Sequence, residues 1–194
     1  MKIQALALSA ALCMGTSVFA GPITYTAVLS GANENPANAS PGTGFATVVL
    51  DTAAHTLSID VTFAGLGSPV TAAHIHCCIA APGNAGVATQ TPTFAGFPSG
   101  VTSGNYLQVF DTTLATTFNS TFVTANGGTP AGAEAQLETG LLAGEAYFNI
   151  HTTQLGGGEI RGFLDQAVPE PASLALSGLA LLGIALLRRR RSII

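Results

Sequence analysis

Basic side chains are almost absent from the long middle of this 194-residue sequence. Between Gly21 and Val168 there is no lysine and a single arginine, Arg161, beside nine acidic residues, which gives this stretch a formal charge of −8. A surface so poor in cations cannot neutralise phosphates, which excludes nucleic-acid binding. Cysteine is scarce too, with three residues. A middle of roughly 148 residues is nevertheless long enough to bury a core without disulfide or metal support.

The first 20 residues have the composition of an export signal. Lys2 supplies a positive charge, an apolar run extends to Met14, and residues 18–20 end in the small side chain that a signal peptidase reads. The run is short for a membrane helix, and polar residues follow it at once. We therefore predict a signal peptide over residues 1–20, cleavage before Gly21, and a domain that folds outside the cytoplasm.

An apolar segment near the C-terminus is typical of a membrane anchor. Residues 172–187 carry no charge, and Arg188, Arg189, Arg190 and Arg191 follow directly. A helix of this length reaches about 24 Å, somewhat less than the ~30 Å of a hydrocarbon core, and snorkelling arginines with local thinning supply the difference. The arginines predict a transmembrane helix over 172–187 whose C-terminal end stays in the cytoplasm.

A short proline motif, Pro169, Glu170 and Pro171, precedes the apolar segment. The order of Pro-Glu-Pro, apolar helix and terminal arginine cluster resembles the PEP-CTERM sorting signal of Gram-negative bacteria, over residues 168–194. The resemblance implies that an exosortase-type membrane protease cleaves near Pro-Glu-Pro. The chain would then be anchored in the inner membrane with its domain outside, and afterwards be released to the cell surface or extracellular matrix.

Between the two ends, hydrophobic residues alternate with polar ones at a period of two, which is typical of β-strands. Predicted strands lie at 23–31, 45–50, 57–63, 70–79, 105–110, 146–152 and 159–164. One short helix is predicted over 114–126, and a second from a Thr129 cap with Pro130 at its first position to Gly144. Residues 80–104 form a long loop that is either functional or contains a short strand near 87–89. We predict a mainly β domain over 21–167, an antiparallel β-sandwich or barrel with a small insertion of two short helices.

Three pairs of polar residues each share a strand face, because residues two apart on a strand point the same way. The pairs are His74 with His76, Asn149 with His151, and Glu159 with Arg161. A glycine-rich hairpin at 153–158 brings the last two pairs side by side. Three imidazoles on one face are unusual in a domain so poor in charge.

The same segments resemble a known family. His-Ile-His at 74–76, the loop residues 83–86, the segments 143–152 and 157–164, and the early stretch 29–36 occur in the order seen in the CHRD domain, first described in chordin. The resemblance covers residues 23–164 and implies a β-rich extracellular module, which in chordin belongs to a binder of secreted growth factors. It implies no established enzyme activity for bacterial members.

The histidines allow two interpretations. His74, His76 and His151 could bind one zinc or copper ion, with Glu159 or water as the fourth ligand. Alternatively, neutral imidazoles and Asn149 hydrogen-bond one another and the backbone, and no ion is needed. For Glu159 and Arg161 we predict a structural pair, in which the guanidinium holds Glu159, or a carboxylate or carbonyl of a neighbouring strand, in place.

Two adjacent cysteines follow the histidine motif, at a point where many relatives have smaller residues. Cys77 and Cys78 lie closer together than the usual disulfide spacing. A vicinal disulfide, an intermolecular bridge and free thiols all remain open.

The sequence thus predicts an exported, non-enzymatic CHRD-type protein with a role in adhesion, matrix structure or ligand binding. Its expected partners are the exosortase-type protease and an extracellular polysaccharide or protein, and no cofactor is required. The alternative is a mononuclear metalloenzyme that uses His74, His76 and His151.

Overall fold

The computed structural model describes residues 21–167. The predicted signal peptide and sorting segment lie outside the described residues, and with them lie Pro169, Glu170, Pro171, the transmembrane helix predicted at 172–187, and Arg188 to Arg191. Within 21–167, no helix combines the length and the apolar character needed to cross a membrane.

Strands dominate the described part of the chain. They are β1 (Ile23–Ser30), β2 (Thr43–Asp51), β3 (Thr56–Ala64), β4 (Val70–Cys77), β5 (Gly104–Asp111), β6 (Ala146–Thr152), β7 (Ile160–Phe163) and β8 (Asp165–Gln166). The helices are α1 (Ser120–Ala125) and α2 (Pro130–Leu142), with 3₁₀ turns at Gly31–Asn33 and Ala115–Thr117. All seven predicted strands are confirmed to within two residues at each end, and β8 is additional.

The strands form one antiparallel sheet in the order β4-β6-β7-β1-β2-β3-β5, with β8 beside β1. The mainly β, antiparallel prediction is confirmed. Residues 21–167 contain no second sheet, so of the two predicted architectures the sandwich is wrong and the barrel is correct in part, because the sheet curls into a half-barrel. Strands near both ends of the sheet approach the same aromatic ring, that of Phe94. Its centroid lies 5.9 Å from that of Phe148 on β6 and 6.4 Å from that of Tyr106 on β5, so the sheet curves around Phe94.

The core fills the concave side of this sheet. On β3, Leu57, Ile59 and Val61 are fully buried while Asp60 and Thr62 are exposed, as expected when alternate side chains face a core. Alternation of this kind shows that one face is buried without showing what covers it. Here the cover comes from the curled sheet itself, from loop aromatics and from α2, which explains why a sandwich was predicted.

The predicted helix over 114–126 is only half correct. Residues up to 117 form a 3₁₀ turn, and α1 begins after Asn119, whose side chain accepts a hydrogen bond from the Thr121 N–H and so caps the helix. Phe118 stays extended because it pairs with Thr89 in an isolated bridge. Tertiary pairing therefore overrides the four-residue hydrophobic spacing.

The second helix begins as predicted. The Thr129 hydroxyl accepts a hydrogen bond from the Gly132 N–H, and Pro130 occupies the first turn. Gly144 follows the helix end with a φ of 67°, a left-handed conformation that favours glycine. The buried side of α2, including Leu137 and Leu141, joins the core cluster.

Candidate functional site

On β4, β6 and β7, the side chains turned away from the core are also buried. We call this surface the polar face; its members are His74, His76, Tyr147, Asn149, His151 and Arg161, none more than 9% exposed. Three loops cover it, at residues 31–42, 78–103 and 153–159. Burial on both faces explains why all seven residues of β6 are buried and show no alternation.

The three histidines converge on one point of the polar face. His74 on β4 pairs directly with Asn149 on β6. His76 and His151 belong to the next cross-strand pairs on the same face, one in each direction along the strands. The imidazoles of His76 and His151 lean toward each other over the middle pair, so that their Nε2 atoms are 3.4 Å apart. One ring nitrogen from each of the three histidines lies within 4.8 Å of the other two.

Backbone carbonyls determine which nitrogen of each ring carries the proton. A carbonyl can only accept, so the nitrogen facing it must donate. The contacts are His74 Nε2 to Pro92 O at 2.7 Å, His76 Nδ1 to Ala85 O at 2.9 Å, and His151 Nδ1 to Gly156 O at 3.0 Å. The remaining nitrogens, Nδ1 of His74 and Nε2 of His76 and His151, therefore carry lone pairs.

Burial also keeps these imidazoles neutral. It lowers the pKa of His74 and of His76 to about 4, against a small opposing effect of the carbonyls that accept from them. Burial likewise lowers the pKa of His151. Near neutral pH, the Nε2 lone pairs of His76 and His151 therefore face each other with no proton between them, and a ring nitrogen of His74 lies within 4.8 Å of theirs.

Arg161 ties the cover loops to the sheet. Its guanidinium donates to Asn33 O at 2.6 Å, Pro82 O at 2.8 Å, Asn84 Oδ1 at 2.6 Å and Gly83 O at 3.3 Å. The same group lies over the Tyr147 ring, 4.7 Å from its centroid, and Tyr147 stacks on His76. Because Pro82, Gly83 and Asn84 directly precede Ala85, the arginine also helps to position the carbonyl that accepts from His76.

Glu159 and Arg161 do not pair with each other, so the predicted structural pair needs correction. Glu159 is 1% exposed and accepts from Ser40 Oγ, Thr152 Oγ1 and the Gly67 N–H, each at 2.6 Å. The nearest carboxylate to Arg161 is that of Glu34, at 3.8 Å. Positions two apart on a strand are about 6.6 Å apart, and the covering loops offer each side chain closer partners.

The hydrogen bonds to Glu159 determine its charge. Burial acts to raise the pKa of Glu159, but the hydrogen bonds from Ser40, Thr152 and Gly67 together outweigh it and lower the pKa. The charged carboxylate is thus held by neutral donors and does not belong to the group of nitrogens that converge. Its predicted place as a fourth metal ligand is therefore not seen.

Cys77 and Cys78 are joined in a vicinal disulfide. Cys77 belongs to the buried core, on the side of the sheet opposite the polar face, and Cys78 packs against the core. Helix α2 crosses the pair at Gly140, where a side chain would collide with both sulfurs. The sequence left a vicinal disulfide, an intermolecular bridge and free thiols open, and the structure contains the vicinal disulfide.

Three residues of the site were not singled out from the sequence. Glu34 and Asn84 lie within stretches that carry the family resemblance, but nothing marks them as facing Arg161. Tyr147 could have been found, because it lies two positions before Asn149 on the same strand and therefore on the same face.

Comparison with protein families gives a match over the whole described fold. The CHRD domain matches residues 25–164. This chain belongs to the CHRD domain family. The matched range contains the polar face and all three of its cover loops. No curated protein and no solved structure matches the chain.

A second match covers the end of the chain. The PEP-CTERM protein-sorting motif matches residues 167–191, which include Pro169, Glu170 and Pro171. This motif is the signal for processing by an exosortase. A CHRD domain followed by this motif indicates an exported surface protein that is membrane-anchored before it is sorted.

Proposed function

We propose that this exported CHRD protein binds a single zinc or copper ion through His74 Nδ1, His76 Nε2 and His151 Nε2. The observation that carries the proposal is the 3.4 Å contact between the Nε2 atoms of His76 and His151. With both Nδ1 atoms donating to carbonyls, each Nε2 of a neutral ring is an acceptor, and two acceptors do not form a hydrogen bond. A metal ion between them turns this unfavourable contact into two favourable bonds.

The hydrogen bonds behind the rings support the same conclusion. Histidines that bind metals usually donate their second N–H to a carbonyl or carboxylate, which fixes the tautomer and orients the ring. All three histidines have such a carbonyl, in Pro92, Ala85 and Gly156. The alternative network of neutral imidazoles would require at least one N–H to donate to another imidazole, and all three are engaged with backbone carbonyls instead.

The donor set determines which ions fit. Three neutral imidazoles suit zinc and copper, whereas magnesium and calcium prefer oxygen ligands. Three protein ligands leave one coordination position free, as in catalytic zinc sites. Because the rings are neutral near pH 7, an ion enters without displacing protons.

The proposed role is ligand binding at the cell surface, with the metal ion as the ligand or as the means of holding it. Among residues 21–167, the polar face has no serine or cysteine beside a histidine that could act as a nucleophile, and Glu159 is fully engaged. We therefore retain the non-enzymatic role as part of the proposal. Adhesion and matrix structure are further roles that such a surface protein could combine with metal binding.

Elemental analysis of the purified full-length chain tests the proposal. We expect one equivalent of zinc or copper per chain, and loss of it in His74→Ala and His151→Ala. His55→Ala is the matched control, because His55 lies outside the cluster, on the β2–β3 turn, and among the described residues its imidazole hydrogen-bonds only Glu134. A wild-type chain that holds no stoichiometric metal after incubation with zinc or copper would refute the proposal, as would equal loss in His55→Ala.

A further inference from the structure

Asn149 lies directly beneath the point where the imidazoles meet. It pairs with His74 across β4 and β6, in the row over which His76 and His151 lean together. Opposed side chains in such a row have Cβ atoms about 5 Å apart, so Asn149 is a direct neighbour of His74. Asn149 is 2% exposed, yet its Oδ1 has no hydrogen-bond partner. Buried acceptors without a partner are rare and call for an explanation.

Glu34 provides a second buried acceptor next to Asn149. A Cβ atom placed on Gly158 would lie 2.7 Å from Glu34 Oε1 and 2.8 Å from Asn149 Oδ1, so both oxygens border the same small space. Gly158 has a φ of 135° and leaves that space free. Glu34 Oε1 also has no hydrogen-bond partner, although its carboxyl group lies near Arg161 through the other oxygen.

These acceptors are concentrated at this site. Within residues 21–167, four buried side-chain atoms lack a partner, and three of them are His74 Nδ1, Asn149 Oδ1 and Glu34 Oε1. The fourth, the Tyr25 hydroxyl, belongs to a core residue on β1. The three atoms at the site are all acceptors, so an occupant that pairs with them must supply positive charge, N–H or O–H groups.

Glu34 also connects the site to the surface. It lines a groove of about 540 Å³ that is bordered by Pro82, Phe163 and Val28, the last of which is 67% exposed. The groove therefore brings solvent up to Glu34, whose Oε1 lies buried behind the groove wall. Asp165 lines the same groove, so its charge disfavours anions.

We infer that the free coordination position of the metal faces Asn149 and Glu34, and that these two acceptors select a small ligand that donates hydrogen bonds. Water, ammonia and hydrogen peroxide belong to this class, whereas azide and similar anions do not. The inference rests on the proposed metal site. Asn149 and Glu34 position the ligand and do not bind the ion themselves.

Anion binding to the copper-loaded full-length chain tests the inference, at about pH 8.5, where Glu34 is a charged acceptor because burial raises its pKa only to about 7. Azide bound to Cu(II) is followed by its charge-transfer absorption, and ammonia by the shift of the visible copper band. To bind, azide must displace a water molecule that donates to Asn149 and Glu34. Asn149→Leu removes one acceptor, and Glu34→Gln replaces a charged acceptor by a weaker neutral one. Each change weakens the hold on that water, so azide affinity should rise about fivefold in both variants. Ammonia donates as water does, so its affinity should change less than about twofold.

Asp60→Asn is the matched control for Glu34→Gln, because it removes the same charge from an exposed site on β3. Its azide affinity should equal that of wild type. Glu34→Gln alone decides the test if Asn149→Leu loses the circular dichroism of the folded chain.

The possible results separate this inference from the proposed function. If copper is bound but azide affinity is unchanged in Glu34→Gln, the inference is wrong. An Asn149 amide that donates to Glu34 would produce this result. If copper is bound and azide produces no absorption band in any variant, the fourth coordination position is not free, and the inference is again wrong. Direct binding of Asn149 to the copper would give this result. If no stoichiometric copper is bound, the proposed function fails and the inference fails with it.

Discussion

The Nε2 atoms of His76 and His151 face each other at 3.4 Å, although the two residues lie on opposite sides of the His74–Asn149 pair. Neither side chain reaches this position by strand geometry alone. The carbonyls of Ala85 and Gly156, on two different loops, hold the outer nitrogens and tilt the rings inward. The contact is therefore produced by the cover loops as much as by the sheet, and the loop that carries Ala85 in turn depends on Arg161.

Arg161→Lys should destabilise the chain strongly. The guanidinium makes four hydrogen bonds to the 31–42 and 78–103 loops, and an ammonium group cannot reach all four acceptors. Leaving buried carbonyls unpaired costs about 1–3 kcal/mol each, so we expect a loss of at least ~2 kcal/mol. This corresponds to a fall in Tm of about 4–8 °C for a chain of this size. Thermal unfolding followed by circular dichroism measures it.

Asp60→Asn serves as the comparison for Arg161→Lys, since it alters an exposed side chain on the same sheet. Its Tm should stay within about 1 °C of wild type, as is usual for surface substitutions. A Tm of Arg161→Lys that equals that of Asp60→Asn would show that the guanidinium does not hold the loops.

The stability of the metal-free chain should fall when the solution is acidified from pH 6.5 towards pH 4. Burial lowers the pKa of His74 and His76 to about 4, while the unfolded chain takes up these protons near pH 6.5. The unfolded state therefore binds more protons in this window, and stability is fully present only above it. Urea unfolding midpoints at several pH values, in the presence of a chelator, measure the effect.

Protonation of Glu34 has the opposite effect on the pH dependence of stability. Burial raises its pKa to about 7, against a smaller opposite effect of Arg161, so the folded chain holds a proton that the unfolded chain releases above about pH 4.5. The stabilisation that protonated Glu34 contributes to the folded state is fully present below pH 4.5 and is lost as the pH rises through about 7. Glu34→Gln removes this compensation, and its stability should decrease more steeply with acid than that of wild type. Equal slopes for the two chains would contradict the assignment.

The sorting motif should act separately from the membrane anchor. Replacing Pro169, Glu170 and Pro171 by alanine, in a host with an exosortase, should leave the chain bound to the membrane and uncleaved. Cell fractionation and immunoblotting measure the distribution. The matched change is Asp165→Ala, just before the matched motif, which should be processed as wild type. Release of the triple variant as efficient as that of wild type would mean that Pro-Glu-Pro is not the recognised signal.

The sequence predicts strands well because their signal is local. The alternation along Leu57, Ile59 and Val61 requires only that one face be buried. The shape of the sheet depends on contacts such as that of Phe94 with Phe148, which are distant in sequence, and so the sequence left the sandwich and the barrel open.

The candidate site shows the same division. The His-x-His spacing placed His74 and His76 on one face, and the hairpin placed Asn149 and His151 beside Glu159 and Arg161. The pairing of β4 with β6, which joins the two groups, is a contact between strands distant in sequence. The tautomers could not be predicted, because they depend on carbonyls of loops that have no periodic pattern. For the same reason the partners of Glu159 were not predicted, and the carbonyls that Arg161 binds belong to loops and not to a neighbouring strand.

Thermal unfolding of the full-length chain at pH 7.5, with and without a strong chelator, tests the metal site most directly. An ion present at about 100 times its Kd stabilises the folded state by about 2.7 kcal/mol, which amounts to about 5–11 °C in Tm. We predict that the chelator lowers the Tm by several degrees, that zinc or copper restores it, and that His151→Ala shows no such difference. Coincident unfolding curves with chelator and with added zinc or copper would show that the histidines hold no ion, and would contradict the account.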